Sequence, residues 1–443
     1  MAIKVGCISL GCPKNQVNAE RMLAAVEAAG MRVVENVYHG ADVVVVNTCA
    51  FIDDAKKEAV ESILEMAALK DEGLVRKIVV TGCLAQGYRD EIVKEIPEVD
   101  AVLGLGANGD IVRGIEEVLA GGRCAQFPDV NRLPLSGPRK LTTPEHWAYL
   151  QIAEGCSNHC AYCKIPALRG EFRSREMEDV LAEARTLVDG GVRELVLIAQ
   201  DTTRFGWDIY HQYCLPELLR KLCKIDKIRW IRLLYCYPDE VTDELVDMIA
   251  SEPKVVKYID LPLQHADDRI LKAMGRRGMQ ADIRRVLTKL RAKIPGIAIR
   301  TTFISGFPGE DEAAFEALSG FIEEQRFAHM GVFTFSPQEG TPAYAMPGRV
   351  EPEVAQRRAE ILMQQQAEIA AQLQNERIGH EIAVMVEEYD PYTDSYTGRS
   401  SADTPEIDNY VTFTSARNLQ AGDVTNVEIF GVREDGLLGR AKP

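Results

Sequence analysis

The chain has 443 residues, too many for one ordinary hydrophobic core, so two or three domains are expected. Its 46% hydrophobic and 27% charged residues are ordinary for a globular protein, and no window holds eighteen uninterrupted apolar residues, which leaves a membrane span unsupported. A formal net charge of −16 speaks against a general polyanion binder and favours a basic partner such as a protein tail or loop.

The opening MAIKVGCISLGC has no basic region leading into a long apolar stretch, so a cytoplasmic location is expected. Residues 1–130 alternate the apolar strands KVGCISL, ADVVVVNTC, KIVVTGC and AVLGL with helices such as NAERMLAAVEAAG and the stretch from Asp53 to Leu69. This pattern predicts a small parallel α/β domain covered on both faces. Residues 131–144, with three prolines and a glycine, read as a linker. Residues 145–375 hold a second βα series whose strands are WAYLQIAE, ELVLIAQ, IRWIRLLY, VKYIDLPL, IAIRTTFISG and AHMGVFTF. Six units are too few for a closed eight-stranded barrel, so a partly open (βα)6 barrel is expected, although an open doubly wound sheet fits six strands equally well. After a long polar helix, residues 376–443 break into short strands, the pattern of a small antiparallel β-barrel of about five strands. Residues 379–443 carry twelve Asp or Glu against five Lys or Arg.

Eleven cysteines in a chain expected to be cytoplasmic favour metal or redox chemistry over disulfides. Cys156, Cys160 and Cys163, in EGCSNHCAYC, have a spacing that fits three thiolates on one iron–sulfur cube, leaving an iron open for substrate or cofactor. Cys12, Cys49 and Cys83 each follow an apolar strand, and strand ends of a parallel sheet share one edge, so a second three-thiolate site is expected there. Zinc on Cys156, His159 and Cys163 is the alternative at the first site, and three inert buried thiols are the alternative at the second. Cys124, Cys214, Cys223 and Cys236 read as buried apolar residues or idle surface thiols, and Cys7 lies inside the first strand.

EGCSNHCAYC resembles the signature of the radical S-adenosylmethionine superfamily. With LGCPKNQVNAE, VVNTCAFI, IPALRGEFRSR, LIAQDTTRFG, LPLQHADDRILKAMGRR, SGFPGE and GRSSADTPEID, nearly the whole chain is similar to the methylthiotransferases of that superfamily. The resemblance implies two [4Fe–4S] clusters. One, on Cys156, Cys160 and Cys163, would bind and cleave S-adenosylmethionine; an auxiliary one, on Cys12, Cys49 and Cys83, would hold the transferred sulfur. The last domain resembles TRAM. GRSSADTPEID and the acidity of that domain match the branch that modifies the β-carbon of an aspartate in ribosomal protein S12, free or in the small subunit. Such a reaction needs a low-potential electron donor and a sulfur source.

Gln200 and Asp201 end the second strand of the series and could bind cofactor polar groups, while Asp201 or Thr202 could instead cap a helix. Ser305, Gly306, Pro308 and Gly309 could let backbone approach the cofactor, or form a tight turn. Glu387, Glu388, Asp403, Glu406 and Asp408 are expected to include substrate contacts. One rival is a tRNA adenosine substrate, for which Arg169, Arg173, Arg175, Arg276 and Arg277 could be cited, although they could equally pair with acids. Another is a non-catalytic iron–sulfur or zinc protein that binds a ribosomal partner. Two departures from the family pattern are Phe205, where Tyr is expected, and Asn18, where an acid often stands.

Overall fold

The computed structural model describes residues 2–434 and 436–442, which fall into two compact units. The first comprises the chain up to Thr143 with Gln151–Glu183 and Gln338–Thr341. Its centre is a parallel sheet of β1 (Lys4–Ser9), β2 (Arg32–Val34), β3 (Ala41–Thr48), β4 (Val75–Gly82), β5 (Ala101–Leu103) and β6 (Cys124–Gln126), in the order β2-β1-β3-β4-β5-β6. Val43 to Val46 are all buried because helices cover both faces, and each face has its own apolar cluster. The edge strands β2 and β6 are additions to the four expected; three residues are too few to show a period. Cys124 belongs to β6 and is only partly buried.

Helix α1 (Pro13–Ala28) begins five positions before the expected start at Asn18, with Cys12 as its extended N-cap residue. Proline suits the first helical turn, where its missing N–H has no partner to lose. α2 (Asp53–Asp71), α3 (Cys83–Gly87), α4 (Arg89–Glu95) and α5 (Ile111–Leu119) follow. The 131–144 segment is held down by charge: Arg139, 2% exposed, donates to Glu20 at 2.6 and 2.9 Å and to Glu183 at 2.6 Å.

Strand β7 (Trp147–Gln151) ends at the boundary of this unit; the expected strand WAYLQIAE is in fact broken, and Ala153–Glu154 (β8) pairs antiparallel with Arg173–Ser174 (β9). Between β8 and β9 lie the second cysteine loop and α6 (Ile165–Arg169).

The second unit holds β7 residues 147–150, 184–337 and the chain from Pro342 onward. Its strands β10 (Glu194–Ile198), β11 (Trp230–Leu233), β12 (Tyr258–Asp260), β13 (Ala298–Ser305) and β14 (His329–Thr334) form two three-stranded groups with β7, ordered β11-β10-β7 and β12-β13-β14. One parallel bridge, Ile231 to Val255, spans the gap, as a partly open barrel requires. After the helix Pro352–Asn375, the strands β15 (Glu381–Asp390), β16 (Ser395–Ser400), β17 (Tyr410–Thr414), β18 (Val424–Arg433) and β19 (Gly436–Ala441) close a barrel in the order β15-β16-β17-β19-β18. It is not wholly antiparallel: β17 and β19 run parallel. A closed ring of five strands cannot alternate direction throughout. Among the described residues, no helix is long and apolar enough to cross a membrane.

Candidate functional site

Register brings the first three cysteines together. Ser9 of β1 lies opposite Asn47 of β3, and Thr48 of β3 lies opposite Gly82 of β4, so the three strands end level and Cys12, Cys49 and Cys83 follow on one edge. Asn15 ties the loops to one another through its side-chain amide, which donates to Leu10 O at 2.7 Å, Thr48 O at 3.2 Å and Asn47 O at 3.3 Å. Thr48 donates its hydroxyl to Thr81 O at 2.5 Å and fixes the third. Gly11 has φ +88, and a Cβ there would stand 2.7 Å from the Cys49 sulfur, so only glycine admits this packing.

The three thiols sense one another. Burial, then Cys83 and Cys12, push Cys49 up to about 12. Cys83 is raised by burial against the opposing charge of Arg169. Burial would also raise Cys12, but Lys14 and Arg169 outweigh it and hold this thiol below its ordinary range. Buried thiols packed so closely resist ionising together unless a cation shares their charge. Among the described residues no three His, Cys, Asp or Glu side chains converge tightly enough to hold a single metal ion. A donor set of three soft thiolates suits an iron–sulfur body, which spreads its ligands over several irons.

The second triad lies in the same compact unit. Gly155 at φ +77 opens the loop, since a Cβ there would stand 2.1 Å from Glu171 O. The Cys156 N–H donates to Gly170 O at 3.1 Å, the Cys163 N–H to Cys160 O at 2.9 Å, and the Ile165 N–H to the Cys163 sulfur at 3.5 Å. Cys160 is buried, and Cys156 and Cys163 are partly exposed. His159, at φ +49, turns to Glu171 at 3.5 Å with both side chains more than 60% exposed, an arrangement of a surface pair rather than a zinc ligand.

Of the two expectations for Arg169, a tRNA contact or a pair with an acid, the structure shows the pair with an acid. Arg169 is fully buried and donates to Glu154 at 2.9 Å and Asn15 at 3.1 Å, and its guanidinium stands beside the Cys83 thiol and opposes the rise that burial imposes on it. Glu154 and Asn15 were visible in EGC and CPKN, but nothing in their spacing revealed the pairing. The other arginines also turn inward or pair. Arg173 donates to Asn131 O, Arg175 bonds Glu183 and Asp179, and Arg276 and Arg277 lie over Tyr237, the latter paired with Asp239 and Glu240.

In the second unit Asp201 is buried and accepts from the Thr203 hydroxyl at 2.7 Å, while Thr202 donates to Leu234 O. Neither caps a helix. Gln200 is partly buried beside them. The Ser305 hydroxyl donates to Ala355 O at 3.0 Å, the Gly306 N–H to Glu310 at 2.9 Å and the Gly309 N–H to Gly348 O at 2.8 Å. One of these donors thus bonds within the 305–310 turn and two bond the later segment that holds Gly348 and Ala355. Phe205 is wholly buried, where a tyrosine hydroxyl would need a partner. Asn18 is also buried.

Of the five acids expected to meet substrate, four are engaged internally. Glu387 bonds His146 at 2.8 Å and Arg399 at 2.6 Å; Asp403 accepts from Ser400; Asp408 pairs with Arg300 and His329; Glu406 accepts from Tyr149 at 3.1 Å. Glu388 is exposed. Within GRSSADTPEID, Asp403 and Asp408 thus turn to Ser400, Arg300 and His329, while Glu406 is exposed, a division that a residue count cannot show.

Three family models match: residues 4–104 fit the uncharacterized protein family UPF0004, residues 150–322 the radical SAM superfamily, and residues 378–441 the TRAM domain. The chain is similar in fold to the radical S-adenosylmethionine methyltransferase TsrM from Kitasatospora setae (TM-score 0.57, 16% identity, 78% of this chain and 77% of that one) and to the cobalamin-dependent radical enzyme OxsB (TM-score 0.51, 12% identity, 84% and 56%). It is 48% identical to the ribosomal protein uS12 methylthiotransferase RimO of Desulforamulus reducens, over 98% of both chains, and 47% identical to that of a Thermoanaerobacter species, over 98% and 99%. Fold and site define a radical S-adenosylmethionine enzyme bearing a TRAM barrel. The chain belongs to the RimO family of ribosomal protein uS12 methylthiotransferases.

Proposed function

We propose that this protein methylthiolates the β-carbon of an aspartate in ribosomal protein uS12, acting in the cytoplasm. The observation that carries the reading is the convergence of Cys12, Cys49 and Cys83 at one sheet edge, in the same unit as the Cys156–Cys163 loop. Cys156, Cys160 and Cys163 would hold one cluster and Cys12, Cys49 and Cys83 an auxiliary one. When bound, these groups supply reductive cleavage of S-adenosylmethionine and the sulfur for transfer. The target C–H bond is too weakly acidic for a side-chain base at neutral pH, which is why such cofactors are needed.

The chain's own share is to bind, orient and shield. The cysteines must ligate as thiolates, and burial of Cys49, Cys83 and Cys160 limits access of water. Gln200 and Asp201 are assigned to polar groups of the cofactor. The 305–309 turn contributes shape, because its donors already have partners. Residues 1–130 would serve the auxiliary cluster, 145–375 the radical chemistry and 376–443 the capture of uS12, with 131–144 connecting the first two. A low-potential electron donor and a sulfur source complete the requirement.

Anaerobically purified protein should contain roughly eight irons, and triple-alanine variants of either cysteine set should lose roughly four. Incubated with uS12 or tRNA, the reduced protein should add a methylthio group to uS12 alone. Modification of tRNA instead, or no cleavage of S-adenosylmethionine, would remove the proposal.

A further inference from the structure

Arg169 closes α6, the short helix that directly follows the second cysteine loop, yet its guanidinium ends among the first cysteines. The residue before it, Leu168, packs in the apolar cluster of the N-terminal sheet, so close that a Cβ on Gly87 would stand 2.9 Å from its methyl group. The Arg169 side chain is 1% exposed, and Glu154, its partner at 2.9 Å, is 0% exposed. Its other amino group reaches Asn15 at 3.1 Å, the residue that pins the Cys12 and Cys49 loops. The guanidinium also stands beside the Cys83 sulfur. A planar fork is thus held in one orientation by a carboxylate, an amide and the packing of its own helix. Lysine could not reproduce that geometry.

We propose that Arg169 is a positioning residue of the auxiliary cluster: it holds the Cys83 thiolate in ligating position and raises the reduction potential of the cluster bound there. This rests on the reading that Cys12, Cys49 and Cys83 carry a cluster. A guanidinium beside a ligand sulfur brings positive charge and N–H groups to it, both of which stabilise the more negative, reduced form, and burial strengthens the effect. Glu154 immediately precedes the second cysteine loop and Arg169 follows it. The same ion pair therefore brackets that loop and ties it to the first triad.

The test uses the full chain with Cys156, Cys160 and Cys163 all changed to alanine, so that only the auxiliary site remains. Reductive titration with dithionite and a mediated electrode, followed by electron paramagnetic resonance, reads the midpoint. In this background, the pair of substitutions Arg169→Gln and Glu154→Gln, which leaves no lone buried charge, should retain roughly four irons. At the parent's midpoint its oxidised-to-reduced ratio should rise about tenfold, ~59 mV for one electron. An unmoved midpoint with iron retained overturns the proposal. Should the double variant not fold, Arg169→Lys, which keeps the charge but not the fork, must still lower the midpoint; no change there also overturns it. A background protein that binds no iron at all removes the auxiliary-cluster reading, and this proposal with it.

Discussion

Gly11 shows how little room the first cysteine edge leaves. A side chain there would meet both the Cβ of Cys49, at 2.6 Å, and its sulfur, at 2.7 Å, on a backbone at φ +88. Gly11→Ala should therefore displace Cys49, at a strain of about 1–3 kcal/mol. We expect it to lose iron from the auxiliary site, roughly four per chain, while the cluster on Cys156, Cys160 and Cys163 remains. Iron analysis with S-adenosylmethionine cleavage separates the two effects. His159 gives the opposite expectation. It is exposed and, among the described residues, paired only with Glu171, so His159→Ala should leave metal content unchanged; loss of metal would revive the zinc reading.

At the scale of elements, the last barrel is fastened by charges that a sequence count assigns to its surface. Glu194 of β10 accepts from Arg399 of β16 at 2.7 Å and from Arg232 of β11 at 2.8 Å, and Arg399 continues to Glu387 of β15 and on to His146. Arg399→Met would leave Glu194 with Arg232 alone and Glu387 with His146 alone, and should cost about 3–5 kcal/mol, visible in thermal melting. Burial alone would raise the Glu194 carboxyl, but Arg399 and Arg232 overcome it and hold it below the usual range. A lowered folded value means that its stabilisation is present above the unfolded pKa, about 4.3, and is lost as pH falls through the folded one. The stability gap between the parent and Glu194→Gln should accordingly be widest near neutrality and narrow in acid. A gap that does not change with pH would show that Glu194 does not act as a charged group.

At the scale of the whole molecule, the net charge of −16 bears on encounter with a basic partner through Glu388, one of the five acids expected to meet substrate, and through acids outside that set. Glu388 and Glu428 lie on the exposed face of the last barrel. Changing both to lysine should weaken capture of basic uS12 at low salt, and the difference should fade as salt rises. Asp408→Asn should instead lower the melting temperature, because Asp408 pairs with Arg300 and His329. If Asp408→Asn weakened capture without changing melting, the assignment of roles would be reversed.

Periodicity and strand-end cysteines make most of this protein legible in its sequence. The parallel N-terminal domain, the partly open six-strand series and the five-strand barrel all follow from local patterns of apolar residues, which are written in consecutive positions. So was the possibility that Cys12, Cys49 and Cys83 meet, because a parallel sheet has one carboxyl edge. The short edge strands β2 and β6 and the start of α1 were not, because three residues carry no period and a proline reads alike in a loop and at a helix start. Only the tertiary structure decided the partners of the charged groups. Arg169 on Glu154, Asn15 and Cys83, and Arg399 between Glu194 and Glu387, join positions far apart in the chain. A charge is the same letter whether it faces water or a buried counterion, and folding alone supplies the difference.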